Sequence, residues 1–301
     1  MSTQQGVVKE GNIRSVNAGA IAAQLYEQLY KEGHQLDVKN EQVKSLTEAV
    51  TALSNLSKAD ASIEGINNAL ASLERGKTKQ ARSLFAGLLK RRIPKDQRGN
   101  KDAAALARHL GALAFLNDTQ AALVAYRKAV QLDPDNAESW SRLGQVLYRT
   151  GQLDQAEEMY RNALEFNNAL GCMGGMAKAI TGLGNVAFTR SELDQAEQMY
   201  KKALEIDKAL GLKAAMAQDY SSLGNVAFSR GDLDLAEERY KKGLVLDELF
   251  RTKENIAKTY DNLGRVYKAR GELDKAEQMR RKAATLDDSY AMGNQFAQAE
   301  N

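Results

Sequence analysis

The residue types that most often perform chemistry are scarce in this chain of 301 residues, which holds one cysteine and two histidines. Cys172, His34 and His109 have no local metal-binding or nucleophile motif around them. A single cysteine cannot form an intramolecular disulfide or supply a cysteine-rich metal site. The segment 171–175 is rich in glycine, but no strand pattern precedes it and no Lys-Ser/Thr follows it, as a phosphate loop would require. We therefore expect no catalytic residue, no metal and no cofactor.

Composition favours an all-helical protein. The chain has only 2 prolines and 6% aromatic residues, so both helix breakers and strong strand formers are few. The net charge of +3 gives no global reason for binding nucleic acid. The uncharged stretch 15–26 is too short and too mixed to span a bilayer and lacks the continuous apolar core of a signal peptide. These features predict a cytoplasmic protein without a membrane span.

Two short motifs recur at a step of 40 residues. The first reads Leu-Gly-Gln-Val at 143–146, Leu-Gly-Asn-Val at 183–186 and 223–226, and Leu-Gly-Arg-Val at 263–266. The second reads Leu-Asp-x-Ala and keeps the same step, at 153–156, 193–196, 233–236 and 273–276. A fixed period of this length predicts stacked, similar structural units.

Each copy is predicted to form two helices that approach closely. The first helix carries an apolar stripe at i, i+3, i+4 and i+7, namely Trp140, Leu143, Gly144 and Leu147. The second carries a small residue and then a tyrosine, Ala156 and Tyr160. We assign the repeated glycines to helix packing beside the tyrosine, because a larger side chain there would cost about 1–3 kcal/mol. These glycines are Gly144, Gly184, Gly224 and Gly264.

The helix ends also show a pattern. Gly151 lies where the end of the first helix favours a left-handed residue, and Ser191 replaces it in the second copy, which predicts a less favourable turn. Asp154 precedes Glu157 by three residues, and the other copies keep this spacing. The spacing predicts a capping box at the start of each second helix, with Asp in the usual Ser or Thr place.

These motifs together resemble the tetratricopeptide repeat, as Trp140-x2-Leu143-Gly144-x2-Leu147 followed by Ala156-x3-Tyr160 and Ala163. The resemblance implies an all-α, right-handed superhelical solenoid of stacked helix-turn-helix repeats. The closing proline of the family is missing, and Asn168, Lys208, Glu248 and Asp288 stand in its place. We expect the second helix to run on and to account for the six residues beyond the usual 34. Such long repeats are similar to those of kinesin light chains and spindle-orientation adaptors.

The repeat pattern predicts four regions. Residues 59–287 form an array of about six repeats, at about 60–97, 102–135, 137–170, 177–210, 217–250 and 257–287. In the last repeat Arg280 replaces the tyrosine and gives a more polar outer face, as a terminal repeat needs. Residues 1–17 are a disordered segment or tail, and 288–301 a frayed tail or short added helix. Residues 18–58 form a helical hairpin docked on the first repeat, or alternatively an intermolecular coiled coil through the seam at 43–56.

A candidate binding groove follows from the resemblance, which implies that the first helices line the concave face. Side chains that share one face of these helices form a ladder of amides and aromatic rings that becomes cationic toward the C-terminus. The ladder consists of Gln145, Tyr148, Asn185, Phe188, Asn225, Phe228, Arg265 and Lys268. Asn side chains can donate to and accept from the backbone of an extended peptide, and the two phenylalanines could seat an apolar anchor. The alternatives are that the groove binds nothing, or that a neighbouring helix covers the rings.

A second candidate surface is the basic stretch 75–101, which includes Lys90, Arg91, Arg92 and Lys95. It could contact an acidic partner, a membrane surface or nucleic acid, but it is interleaved with a single aromatic residue, so base stacking is unsupported. The alternative is a solvated outer face.

The leading hypothesis is thus a non-enzymatic scaffold or adaptor that binds a peptide or helix of another protein. Two further hypotheses remain open, namely self-assembly into homo-oligomers and regulation through the basic stretch.

Overall fold

The computed structural model describes residues 101–115, 118–250 and 253–299, together with Ser72 and Ser83, and it describes side chains as far as Leu286. The predicted tail 1–17, the hairpin 18–58, most of the first repeat and the basic stretch up to residue 100 therefore lie outside the described residues.

Every regular element in the described part of the chain is an α-helix. In chain order the ten helices are α1 Lys101–Phe115, α2 Thr119–Leu132, α3 Ala137–Arg149, α4 Leu153–Ala169, α5 Met173–Thr189, α6 Leu193–Ala209, α7 Lys213–Ser229, α8 Leu233–Phe250, α9 Lys253–Ala269 and α10 Leu273–Ala299. The prediction of an all-α fold is confirmed.

The chain divides into two compact units between Val146 and Leu147, inside α3. In the first unit α1 and α2 pack together as a hairpin. In the second unit α5–α6, α7–α8 and α9–α10 are hairpins, and α4–α5, α6–α7 and α8–α9 are the contacts between successive hairpins. Each hairpin thus covers the flank of the next, which is the arrangement of an α-solenoid.

The expectation about the six additional residues was only partly right. The second helices α4 and α6 have 17 residues, against 14 in α2, so they do run on. The first helices also lengthen, since α5, α7 and α9 have 17 residues against 13 in α3. They begin at residues 173, 213 and 253, four before the predicted starts. Gly171 and Gly211 have positive φ and follow the C-terminal ends of α4 and α6. They reverse the chain direction within a short turn, so the next helix begins early.

The turns inside the hairpins follow the prediction. Gly151, Gly231 and Gly271 have φ between 76° and 80°. Ser191 takes the same left-handed conformation with φ of 64°, which costs energy for a residue with a Cβ. In each turn the next backbone N–H donates back to the last turn of the helix, as Gln152 N does to Leu147 O at 2.9 Å.

The predicted capping boxes were wrong. The caps of α4 and α6 are Gln152 and Glu192, and neither side chain caps the helix. Asp154 is the second residue of α4 and cannot occupy the cap position. Asp232, which was not singled out in the sequence, accepts a hydrogen bond from the Leu235 N–H at 3.1 Å at the start of α8.

The predicted close packing of glycine against tyrosine is present. A Cβ placed on Gly184 would lie 2.7 Å from the ring of Tyr200, and one on Gly224 would lie 2.6 Å from the ring of Tyr240. Gly264 differs, because its nearest neighbours would be Ala276 O at 3.5 Å and Met279 Cβ at 3.6 Å, which are ordinary contacts. The tyrosine position of that repeat is occupied by an arginine, so no ring fills the space.

Candidate binding surface

Arginine bridges hold successive hairpins of the second unit in register. Arg190, which follows α5, donates from Nη1 to Glu157 at 2.5 Å and from Nη2 to Asp154, both near the start of α4. The same arrangement joins Arg230 to Asp194 and Glu197, and Arg270 to Asp234 and Glu237. The acids lie near helix N-termini and the arginines at C-termini, where the helix dipole favours each charge. The Asp-x-x-Glu pattern thus joins hairpins and does not cap helices.

The bridges shift the acid pKa values downward. The hydrogen bond from Arg190 lowers the pKa of Glu157. For Glu197, hydrogen bonds from Lys201 and then Arg230 lower the pKa. Partial burial raises the pKa of Glu237, but hydrogen bonds from Lys241, Tyr267 and Arg270 outweigh it and lower the value to about 2. These carboxylates are therefore charged and bonded at neutral pH.

The predicted ladder residues of the second unit lie on successive first helices, and the structure shows contacts between neighbouring helices at two points. The Tyr148 hydroxyl and Thr189 Oγ1 are 2.9 Å apart and connect α3 to α5. Because the Thr189 hydroxyl donates to the Asn185 carbonyl, Tyr148 is the donor in this pair. Between α7 and α9, the Arg265 guanidinium lies 4.6 Å from the centre of the Phe228 ring. Gln145 lies on α3 in the first unit and is half-buried.

The two asparagines of the ladder are held by the tyrosines of their own hairpins. Tyr200 Oη donates to Asn185 Oδ1 at 2.8 Å, and Tyr240 Oη donates to Asn225 Oδ1 at 2.7 Å. Among the described residues, no group accepts from the Nδ2 of either amide. Both side chains are half-buried, so the fixed oxygen leaves the NH2 donors available to a ligand. The ladder is thus more donor-rich than the sequence predicted.

The aromatic and cationic positions have different environments. Phe188 and Phe228 are half-buried, and each packs partly against the core of its hairpin. The guanidinium of Arg265 on α9 stacks on the Phe228 ring of α7. For Phe228, a residue of the neighbouring first helix therefore does cover the ring. Arg265 and Lys268 are exposed at the C-terminal end of the ladder.

Two of the residues considered for catalysis, His109 and Cys172, occupy ordinary packing and surface positions, and His34 lies outside the described residues. Burial, assisted by the charge of Arg108, lowers the pKa of His109 to about 4, so the ring is neutral at pH 7. Cys172 is exposed. Within the described ranges there is no group of three or more His, Cys, Asp or Glu side chains placed to hold a metal ion. In the same part of the chain, no helix has the length and apolar character needed to cross a bilayer.

Besides the arginine bridges, two further features were missed in the sequence. Exposed leucines lie beside the loops between hairpins, including Leu170 at 71% and Leu212 at 44% exposure. Two aspartates, Asp207 and Asp219, are almost fully buried where α6 meets α7, with 3% and 1% exposure. The aspartates could have been noticed as acidic residues at the apolar positions of a helical stripe. The exposure of the leucines was not predictable in this way, because it depends on the early starts of the first helices.

Comparison with known proteins agrees with this architecture. The family model described as a MalT-like TPR region matches residues 136–300, and a TPR repeat model matches residues 112–151. The solved structure of BtubC (BKLC) from P. vanneervenii is 24% identical, with a TM-score of 0.57, over 71% of this chain and 90% of that one. MamA is 24% identical with a TM-score of 0.45, over 60% of this chain and 96% of that one. MamA 41-end from Desulfovibrio magneticus RS-1 is 18% identical with a TM-score of 0.47, over 64% and 97%. A search of curated proteins gave no match.

The stacked hairpins and their repeated glycine–tyrosine contacts define a helical-repeat protein of the protein-interaction scaffold class. Because the family model spans more than half of the sequence, the chain belongs to the tetratricopeptide repeat family, in its MalT-like form. Proteins built from these repeats are typically scaffolds and not enzymes.

Proposed function

We propose that the chain is an adaptor that binds an extended or helical segment of a partner protein along the ladder on its first helices. The observation that carries the proposal is the pair of amides at Asn185 and Asn225, which recur at the repeat period. Each amide oxygen is held by a tyrosine, so each NH2 group is oriented without a partner in the described structure. Preorganised donors bind backbone carbonyls or carboxylates with little loss of side-chain entropy.

The charge of the surface indicates which segments would bind. Arg265 and Lys268 are exposed just beyond Asn225, so the ladder offers hydrogen-bond donors along its length and positive charge at its C-terminal end. A complementary segment presents carbonyl or carboxylate acceptors and has acidic residues near one end. Charge complementarity of this kind contributes mainly to the association rate and to specificity. We also place the protein in the cytoplasm, on the sequence grounds given above.

The test is affinity capture from native lysate with a groove variant that combines Asn185→Ala, Asn225→Ala and Arg265→Ala. The matched control removes two amides and one cation from the exposed face of α6, as Gln195→Ala, Gln198→Ala and Lys202→Ala. We expect the groove variant to lose partners that both wild type and control retain. Retention of the same partners by all three would contradict the proposal. Far-UV circular dichroism of each variant confirms that the helices are intact, since Asn185→Ala also removes the acceptor of Tyr200.

Self-association is a second candidate function, and it rests on the exposed flank of α10. Leu273 is 66% exposed, whereas the equivalent leucines of α4, α6 and α8 are half-buried under the next hairpin. The Glu277 side chain is 41% exposed, against 16–22% for the three glutamates that receive an arginine bridge. Light scattering over a micromolar concentration series tests this function. Association that Leu273→Lys abolishes would support it, and a monomer at every concentration would exclude it.

A further inference from the structure

Each contact between successive hairpins of the second unit contains a buried polar residue near the end of the second helix. In the α4–α5 contact this residue is Asn167, 6% exposed, whose Nδ2 donates to Ala163 O at 2.7 Å. In the α8–α9 contact it is Asp247, 3% exposed, which accepts from Asn255 Nδ2 at 3.2 Å. In both cases a neutral amide donates the hydrogen bond.

The α6–α7 contact is different because it brings two carboxyl groups together. Asp207 on α6 faces Asp219 on α7, and the two side chains lie within hydrogen-bonding reach of each other. The corresponding residues of the neighbouring repeats are Ala179 and Thr259, so the second carboxyl is particular to this contact. Thr181 on α5 donates weakly to Asp219 Oδ1 at 3.4 Å. Asp219 Oδ2 is buried and has no donor among the described residues.

Two carboxylates cannot hydrogen bond to each other unless one of them carries a proton, because both are acceptors. A buried carboxylate oxygen without a donor is also costly, whereas a protonated one becomes a donor itself. A single proton on Asp219 therefore explains both the proximity of the carboxyls and the oxygen that lacks a donor. Burial, then the charge of Asp207 and the hydrogen bond with it, raise the pKa of Asp219 to about 8.

We propose that the α6–α7 contact is closed by one proton shared between Asp207 and Asp219, and that loss of this proton at alkaline pH loosens it. On deprotonation the O–H bond of the Asp219 carboxyl breaks, the proton passes to solvent, and two buried carboxylates are left facing each other. Their repulsion acts between the second and third of the 40-residue repeats. Thr181, which donates to Asp219, belongs to the first-helix face that carries the ladder. The shared proton therefore acts on a contact between helices that adjoins the proposed binding surface.

The ionisable groups around the pair are consistent with this assignment. Burial raises the pKa of Asp207, but the hydrogen bond with Asp219 and the charge of Lys178 on α5 oppose this rise and favour the charged form, which leaves the proton on Asp219. Burial raises the pKa of Tyr200 on α6, and the nearby Asp219 adds to that rise. From α8, Tyr240 and Gly243 pack against α7, and burial raises the pKa of Tyr240 to about 12. Both tyrosines thus remain neutral over the range in which Asp219 titrates.

The test compares the wild-type chain with Asp219→Asn, whose amide can donate to Asp207 and accept from Thr181 at every pH. The folded wild type keeps a proton that the unfolded chain releases, so wild-type stability falls as pH rises toward 8. The unfolding equilibrium constant of wild type relative to the variant should rise about tenfold per pH unit between pH 5.5 and 7.5 and level off above pH 8. Asp207→Asn removes the same pair from the other side and provides a second variant. An exposed carboxylate, removed by Asp274→Asn, is the control that keeps the wild-type slope.

Amide hydrogen exchange locates the effect. Wild-type amides in α6 and α7 should exchange at the same rate as those of Asp219→Asn at pH 6 and at least tenfold faster at pH 9, while α9 amides match at both pH values. The infrared carbonyl band of a protonated carboxyl should appear in wild type at pH 6 and be missing from Asp219→Asn. Parallel pH profiles for wild type and both variants, or an unchanged infrared band, would overturn the proposal. Neither readout depends on a bound partner, so these results are independent of the capture experiment.

Discussion

Replacing single glycines by alanine should have opposite effects at two equivalent positions of the repeat. At Gly184 a new Cβ would lie 2.7 Å from the ring of Tyr200, well inside van der Waals contact. The ring is buried and its hydroxyl is bonded to Asn185, so it cannot move without losing that hydrogen bond. At Gly264 the closest contacts would be 3.5 and 3.6 Å, and nothing has to move.

The magnitudes follow from three effects. Alanine is favoured over glycine in a helix interior by about 1 kcal/mol. Overpacking a core costs about 1–3 kcal/mol, and a lost hydrogen bond costs about 1 kcal/mol more. We therefore expect Gly184→Ala to destabilise the protein by about 2 kcal/mol, and Gly264→Ala to stabilise it by about 0.5–1 kcal/mol. Gly224→Ala, which meets Tyr240 at 2.6 Å, should behave like Gly184→Ala.

The assay is urea unfolding followed by far-UV circular dichroism, with midpoint and slope compared across the variants. Repeating Gly184→Ala in a Tyr200→Phe background separates the two costs, because phenylalanine keeps the ring and removes the hydroxyl. The penalty should fall by about 1 kcal/mol and keep its sign. Equal effects of alanine at Gly184 and Gly264 would refute the argument that the tyrosine ring decides which glycines are required.

Three further changes test other contacts of the array. Arg230→Ala should lower the unfolding free energy by about 1 kcal/mol, because it removes the bridge to Asp194 and Glu197, and the loss should be smaller in high salt. As the control, Lys242→Ala breaks an exposed pair within one helix and should lower it by under about 0.5 kcal/mol. Ser191→Gly should raise the unfolding free energy by about 1 kcal/mol, and Gly231→Ser should lower it by a similar amount, because both positions have positive φ. The pKa of Glu237 is held near 2, below its ordinary 4.5, so its contribution to stability is present above pH 4.5 and is lost as pH falls toward 2; Glu237→Gln should make this acid decline shallower.

The class of fold was readable from the sequence because it depends on period and on residue size. A glycine and an alanine that recur every 40 residues, with a tyrosine four residues after the alanine, specify a close crossing of two helices wherever they occur. The left-handed turn residues were equally readable, since their requirement is set by local backbone geometry. Even the exception at Ser191 was predicted correctly, because no neighbour can relieve the strain of a positive φ.

The role of the acidic pairs was misread for a reason that is also physical. The pattern Asp-x-x-Glu is equally compatible with a capping box and with a pair of carboxylates that accept hydrogen bonds from an arginine. The choice depends on whether the aspartate is the cap or the second residue of the helix, and on an arginine 36 residues further along the chain. The period of 40 residues in Arg190, Arg230 and Arg270 was a signal in the sequence that could have revealed the bridges.

By itself the sequence determined the repeat period, the helical class and the small residues at the helix crossings, since each of these depends on local pattern alone. Only the tertiary structure decided which polar atoms remain available. The side-chain oxygens of Asn185 and Asn225 each accept a hydrogen bond from a tyrosine fifteen residues away, and the guanidinium of Arg265 covers the Phe228 ring. The same holds for Asp207 and Asp219, because a carboxyl group becomes a shared proton site only when packing buries a second one beside it.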